Sequence, residues 1–110
     1  MFEQLQIGFI GGGNMGEALI KGIISGSLVN KDRIHVYDAS IPRMEYLKEA
    51  YQVEVYADLG EAVRACRLVV LAVKPQNMQE VLVELSSKAT HLPLVISIAA
   101  GVTLAALSYQ

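Results

Sequence analysis

The chain has 110 residues, 53% of them hydrophobic and 18% charged, with 9 Lys+Arg against 11 Asp+Glu for a net charge of −2. That balance excludes a disordered chain, which needs low hydrophobicity and high net charge, and it disfavours nucleic-acid binding, since no basic excess or Lys/Arg run exists. The length suits one domain with a real core, and the single cysteine, Cys66, leaves no intramolecular disulfide framework and suits a reducing cytosol.

Met1-Phe2-Glu3-Gln4 lacks the basic start of a signal peptide. Ile7-Gly8-Phe9-Ile10 reads as a short strand that stops at Gly11-Gly12-Gly13. Asn14 to Ser25 follows with helical periodicity. Met15, Ala18, Leu19, Gly22 and Ile23 fall on one face, and Glu17 and Lys21 form an i,i+4 pair. Ile34 to Tyr37 is the next strand, ending at Asp38. Ser40 caps a second helix with Pro42 in its first turn, where a missing N–H costs nothing. Met44, Leu47 and Tyr51 make its buried stripe. Val53 to Tyr56 reads as a short strand, and Asp58 with Glu61 has capping-box spacing. Leu59, Ala62, Val63 and Cys66 form the helical face behind it.

Leu68 to Val73 is an unbroken apolar run of six residues, far short of the roughly 20 that a membrane span needs. Its lack of polar alternation marks a strand buried on both faces, as in a parallel sheet covered by helices. Lys74-Pro75 breaks it. Gln76 to Lys88 is the clearest helix, with Met78, Val81, Leu82 and Leu85 on one face. Leu94 to Ile98 is the fifth strand, closed by Ala99-Ala100-Gly101, and Thr103 caps a last helix that has barely begun at Gln110. The alternation β-α-β-α-β-α-β-α-β-α predicts an α/β domain with a doubly wound parallel sheet.

Gly11, Gly13 and Gly16 match G-x-G-x-x-G between a strand and a helix, and the acidic Asp38 stands 22 positions after Gly16 at the end of the second strand. That context makes the match a Rossmann-type dinucleotide fingerprint. Gly11 permits the tight turn, Gly13 admits a pyrophosphate against the backbone, and Gly16 lets the helix pack close to the sheet. The helix start supplies N–H groups and a positive dipole end for phosphates.

Asp38 suits the adenosine ribose hydroxyls of NAD and meets a 2′-phosphate with like charge. Ser40 and Arg43 act the other way if they turn toward the ribose, although Arg43 reads first as a solvated helix position. Lys74-Pro75-Gln76 and Ala99-Ala100-Gly101 both lie at carboxyl ends of strands, where ligands of open α/β sheets bind. His35 and His91 stand alone and read as strand and loop residues, Cys66 as a core thiol, and Met15, Met44 and Met78 as packing. No paired-carboxylate, metal or Ser/His/Asp constellation exists, so no catalytic side chain is assigned.

Ile7 to Gly22 (IGFIGGGNMGEALIKG), Leu71 to Gln76 (LAVKPQ) and Ser97 to Val102 (SIAAGV) together resemble the N-terminal domain of pyrroline-5-carboxylate reductase. The resemblance runs across nearly the whole chain and implies a cytoplasmic enzyme of proline biosynthesis. Hydride passes from C4 of NADPH or NADH to the C=N carbon of the small-molecule substrate 1-pyrroline-5-carboxylate. The cofactor-binding candidates are then Gly11, Gly12, Gly13, Asn14, Met15 and Gly16 at the pyrophosphate, and Asp38, Ser40 and Arg43 at the ribose. Ala72, Val73, Lys74 and Pro75 line the nicotinamide side, with Ala99 and Ala100 near nicotinamide and substrate. The family continues into an all-helical second domain that dimerises and supplies most substrate contacts. Its absence here implies that this chain alone binds cofactor without turning over. Arg67, Leu59 and Asp38 depart from the family pattern, Asp38 leaning toward NAD where the family commonly uses NADP. A related imine or β-hydroxyacid reductase and a non-catalytic nucleotide-binding regulator are the alternatives.

Overall fold

Short apolar runs, each followed by a helical crossover, assemble into one parallel sheet in the computed structural model, which describes residues 4–88 and 94–97. The elements are β1 (Ile7–Ile10), α1 (Asn14–Ser25), β2 (Ile34–Tyr37), α2 (Ile41–Tyr51), β3 (Glu54–Val55), α3 (Leu59–Val63), β4 (Leu68–Leu71), α4 (Met78–Lys88) and β5 (Leu94–Ser97). The strand order is β3-β2-β1-β4-β5, with every neighbouring pair parallel. The chain therefore builds outward from β1 in one direction, returns, and builds outward from β4 in the other. The order reverses between β1 and β4, the place where open α/β sheets leave a crevice at their carboxyl ends.

Register makes that crevice level. Ile10 stands opposite Tyr37 on one side and Leu71 on the other. Gly11, Asp38 and Ala72 consequently leave the sheet at the same height. The ladder runs one step further, through Gly11 N–H to the Tyr37 carbonyl at 2.7 Å and Ala72 N–H to the Ile10 carbonyl at 2.8 Å.

Side chains alternate across β1, and the core divides accordingly. Ile7 and Phe9 pack with Ile20, Ile34, Val36 and Leu47 on one face. Ile10 packs with Leu59, Val63, Val69, Leu71 and Leu85 on the other. β4 is buried on both faces, as its unbroken apolar sequence demands. The caps form as expected. Ser40 Oγ accepts from Arg43 N–H at 3.3 Å, and Asp58 Oδ2 accepts from Glu61 N–H at 3.1 Å.

The structure corrects several boundaries and one face. The fourth strand ends at Leu71, not Val73, and a 3₁₀ turn over Pro75–Asn77 delays α4 to Met78. The third strand keeps only Glu54 and Val55, with Val53 buried just before it. A second 3₁₀ turn, Lys31–Arg33, leads into β2. Along α1 the buried residues are Gly16 and Ile20, whereas Met15 and Leu19 are 57% and 40% exposed. The stripe is rotated because α1 approaches the sheet at Gly16, where a Cβ would stand 2.8 Å from the Gly11 carbonyl oxygen. Met44 and Met78 are buried as expected; Met15 is not packing. His91, Ile98, Ala99, Ala100, Gly101 and the helix expected after Thr103 lie outside the described residues.

Leu47 is fully buried between α2 and the sheet and lies directly beneath Gly12. Leu47→Ala should destabilise the fold by about 3 kcal/mol, the usual cost of emptying a buried leucine site. Equilibrium urea unfolding measures it; a loss below about 1 kcal/mol would mean that the site collapses around the smaller side chain.

Candidate functional site

The glycine loop is shaped by two demands. Gly11 has φ +98°, a left-handed conformation, and a Cβ there would meet the Ala72 carbonyl oxygen at 2.5 Å. Only glycine satisfies both the turn and the contact with the strand-four loop. Gly13 differs. Its backbone is extended, with φ −72°, and a Cβ built on it meets nothing within 4 Å. The fold itself leaves this position open, so its lack of a side chain keeps space clear beside the start of α1.

That helix start carries unused donors. The first helical hydrogen bond runs from Glu17 N–H to the Gly13 carbonyl at 2.8 Å. The amides of Asn14, Met15 and Gly16 precede the ladder, and no side chain caps them. They form a positive dipole end facing outward.

A cleft of about 540 Å³ opens beside this turn, at the carboxyl ends of β1, β2 and β4. Of the residues expected at a cofactor, Gly11, Gly13, Asp38, Ala72, Val73 and Lys74 line it. Tyr37, Ala39, Asn77, Glu80 and Val81 line it as well and were not anticipated. The spacing 77, 80, 81 puts the last three on one helical face just after Lys74-Pro75, a signal that the sequence carries and the motif reading leaves unused. Among the described lining residues Lys74 is the one cation, and Asp38 and Glu80 are the anions.

Asp38 holds the loop together. Its Oδ2 accepts from Gly12 N–H at 2.7 Å and its Oδ1 from Ser40 N–H at 2.8 Å. One carboxylate thus joins the glycine loop to the start of α2. The opposite side of the same peptide, the Gly12 carbonyl, accepts from Arg43 Nε. Arg43 is therefore not a solvated helix position. Its Nη2 reaches Glu17 Oε1 at 2.5 Å, and its guanidinium lies 4.9 Å from the centre of the Tyr46 ring. Glu17 pairs across helices in this way, not with Lys21 along its own, because α2 brings three donors to it.

The other two donors are hydroxyls. Glu17 Oε2 accepts from Tyr51 at 2.5 Å and from Tyr46 at 2.7 Å. These bonds, the Tyr51 hydroxyl first, hold the Glu17 carboxyl down at about 2, against an ordinary 4.5. The Tyr51 hydroxyl is pushed up to about 12 by the same bond.

His35 and Cys66 both have structural partners. His35 sits toward the amino ends of the strands, away from the cleft. Its ring nitrogens lie 2.7 Å from the Tyr56 hydroxyl and 2.6 Å from Gln6 Oε1, and burial pushes its pKa down. Cys66 is buried, its Sγ donating to the Ala62 carbonyl at 3.3 Å, and desolvation pushes the thiol up to about 11. Among the described residues no group of three or more His, Cys, Asp or Glu side chains is placed to hold a metal, and no helix is long and apolar enough to cross a membrane.

A depressed carboxyl contributes stability that is complete above its unfolded value and fades as pH falls toward its folded one. For Glu17 that window runs from about 4.5 down to about 2. Urea midpoints of the wild-type chain should fall across this window more steeply than those of Glu17→Gln. Parallel profiles for the two proteins would show that the carboxylate network adds nothing to stability.

Comparison with known proteins agrees with this geometry. A family model described as NADP oxidoreductase, coenzyme F420-dependent, matches residues 6–101. The pyrroline-5-carboxylate reductase of Methanosarcina acetivorans is 41% identical over 102 residues, covering 93% of this chain and 38% of that protein. The solved pyrroline-5-carboxylate reductase of Coxiella burnetii superposes with a TM-score of 0.87 at 33% identity, over 97% of this chain and 40% of that one. The Plasmodium falciparum pyrroline carboxylate reductase, solved with NADP bound, superposes with a TM-score of 0.76 at 31% identity, over 99% of this chain and 38% of that one. The chain thus spans less than half the length of the relatives it matches. The resemblance to pyrroline-5-carboxylate reductase carried by the three sequence segments extends over nearly all of it. With a family match across most of its length, the chain belongs to the family of NADP oxidoreductases described as coenzyme F420-dependent.

Proposed function

We propose that this chain is the dinucleotide-binding domain of a pyrroline-5-carboxylate reductase. The observation that carries the reading is the open cradle at Gly13. A backbone position where a Cβ meets nothing within 4 Å adjoins an uncapped helix start and a cleft at the topological switch point. A pyrophosphate needs such a surface: space against the backbone, unpaired N–H groups and a positive dipole end.

The amides of Asn14 and Met15 would face the pyrophosphate, with Gly13 giving it access. Gly11 and Gly16 act behind them, setting the turn and the depth of α1 against Ala72. Ala72, Val73 and Lys74 line the cleft where β4 ends, on the nicotinamide side, and Pro75 follows them without lining it. Gly12, Ser40 and Arg43 serve the loop from behind, through Asp38 and the Gly12 peptide. Ala99 and Ala100 lie outside the described residues, and their assignment to the nicotinamide side rests on the sequence resemblance alone. Held by these residues, a nicotinamide cofactor would supply the hydride that reduces the C=N carbon of the cyclic imine, the nitrogen taking a proton to give proline. The chain's own residues bind and orient, and no general acid is assigned among them. In the complete protein a second, helical domain would hold the imine and join two subunits, and the enzyme would work in the cytoplasm. This chain alone should bind cofactor and reduce the imine at a negligible rate.

Asp38 bears on the choice between NADH and NADPH. Two backbone N–H groups fix its carboxylate at the rim of the cleft and leave lone pairs for ribose hydroxyls. A phosphate about 4 Å away would feel roughly 4 kcal/mol of repulsion at an effective dielectric of 20. Salt and solvent reduce that to about 1–2 kcal/mol at an open site. Arg43, held by Glu17 and Gly12, is not turned to offset it.

Two measurements test the reading. Gly13→Ala should leave thermal stability unchanged, since its Cβ clashes with nothing, and weaken NADH binding more than tenfold by calorimetry. Equal affinities would remove the pyrophosphate from this turn. Wild type should bind NADH more tightly than NADPH, by roughly five- to thirtyfold from the repulsion above, and Asp38→Ser should narrow the gap from both sides. A wild type that prefers NADPH at physiological salt would refute the role given to Asp38.

A further inference from the structure

Glu17 does not line the cleft, yet it governs a cation that stands close to it. Arg43 lies on the first turn of α2, three residues after Ser40 and five after Asp38. Its backbone N–H donates to Ser40 Oγ, and Ser40 N–H donates to Asp38, which lines the cleft, so this residue adjoins the rim that an adenosine ribose would use. Its guanidinium is committed elsewhere. Nε donates to the Gly12 carbonyl and Nη2 to Glu17 Oε1 at 2.5 Å. The Glu17 carboxylate is itself immobilised by Tyr46 and Tyr51, whose hydroxyls donate to Oε2 at 2.7 and 2.5 Å. The pair is well packed, with side-chain exposures of 27% for Arg43 and 19% for Glu17.

We propose that Glu17 is a cofactor-specificity residue acting through Arg43: it holds the guanidinium on the Gly12 carbonyl, withholds it from a 2′-phosphate, and so favours NADH over NADPH. The proposal rests on the dinucleotide reading of the cleft. It adds a residue on α1 that touches neither cofactor nor substrate. Two physical effects act in the same direction. The carboxylate fixes the arginine's orientation through a charge-assisted bond, and it neutralises the positive charge that a phosphate would feel. Tyr46 and Tyr51 belong to the same device, because their hydroxyls hold Oε2 and keep Oε1 aimed at Arg43.

Titration of NADH and NADPH by calorimetry, on wild type and three variants, decides the matter. Glu17→Gln should raise the ratio of NADPH to NADH affinity about three- to fivefold, the upper range for an ion pair near the surface. The Tyr46→Phe/Tyr51→Phe variant keeps the charge but frees the carboxylate, and should raise the ratio about twofold. It also keeps the test intact if Glu17→Gln fails to fold. Adding Arg43→Leu to Glu17→Gln should abolish the gain. An unchanged or lowered ratio in variants that bind NADH as wild type does would overturn the proposal. A gain that survives the loss of Arg43 would do the same. If wild type binds neither dinucleotide, the cleft itself has been misread and the proposal fails with it, a result distinguishable from an unchanged ratio.

Discussion

The structure depends on a close approach between the first turn of α1 and the end of β4. A Cβ on Gly11 would stand 2.5 Å from the Ala72 carbonyl oxygen, and one on Gly16 would stand 3.3 Å from the Ala72 Cβ. No side chain fits in either place. Because both positions are glycine, the helix begins directly over the gap where the strand order reverses. Its uncapped first turn, with its amide donors, then adjoins the cleft, which Gly11 and Gly13 line. A helix set further from the sheet would leave the same donors facing solvent.

A second constraint locks the loop from the other side. The Gly12 peptide is held at its N–H by Asp38 and at its carbonyl by Arg43. Asp38 belongs to the end of β2 and Arg43 to α2, so the strand-two crossover determines how the glycine loop sits. Through Glu17 the same chain of contacts returns to α1. Loop, strand end and both helices are one connected polar unit over a fully apolar core, in which no polar or charged residue is buried among the described residues. Hydrogen bonds between charged groups at this depth are stronger than those in open solvent and weaker than buried ones. Such a network fixes geometry more than it adds stability.

The two sides of the core show why most of the architecture was readable in advance. Met44 and Leu47 on α2, and Leu59, Ala62, Val63 and Cys66 around α3, bury as their spacing predicts, while Tyr51 packs against the core only partly buried. The caps at Ser40 and Asp58 close on the residues three positions later, because a cap is a local interaction that spacing alone defines. α1 is the exception. Its periodicity admits either a Met15–Leu19 stripe or a Gly16–Ile20 stripe, and hydrophobicity favours the wrong one. Burial follows the face with room for close packing, and a glycine in a helix shows that room only when the neighbouring strand is known.

The alternation of strands and helices, the parallel sheet, the glycine turn with its acidic partner at the end of β2, and the resemblance to pyrroline-5-carboxylate reductase were legible in the chain itself. Each is written in short-range spacing or in a contiguous motif. Which neighbours the polar side chains take depends on how distant elements pack. Glu17 has Lys21 four residues along its own helix, yet it takes Arg43, Tyr46 and Tyr51 from α2. Arg43 stands on the first turn of α2, five residues after the cleft residue Asp38, yet it takes Gly12 and Glu17. Asn77, Glu80 and Val81 join the cleft only because a 3₁₀ turn sets the start of α4. The physical reason is common to all three. A long polar side chain settles where the most donors or acceptors converge, and that convergence arises from the packing of elements distant in the chain.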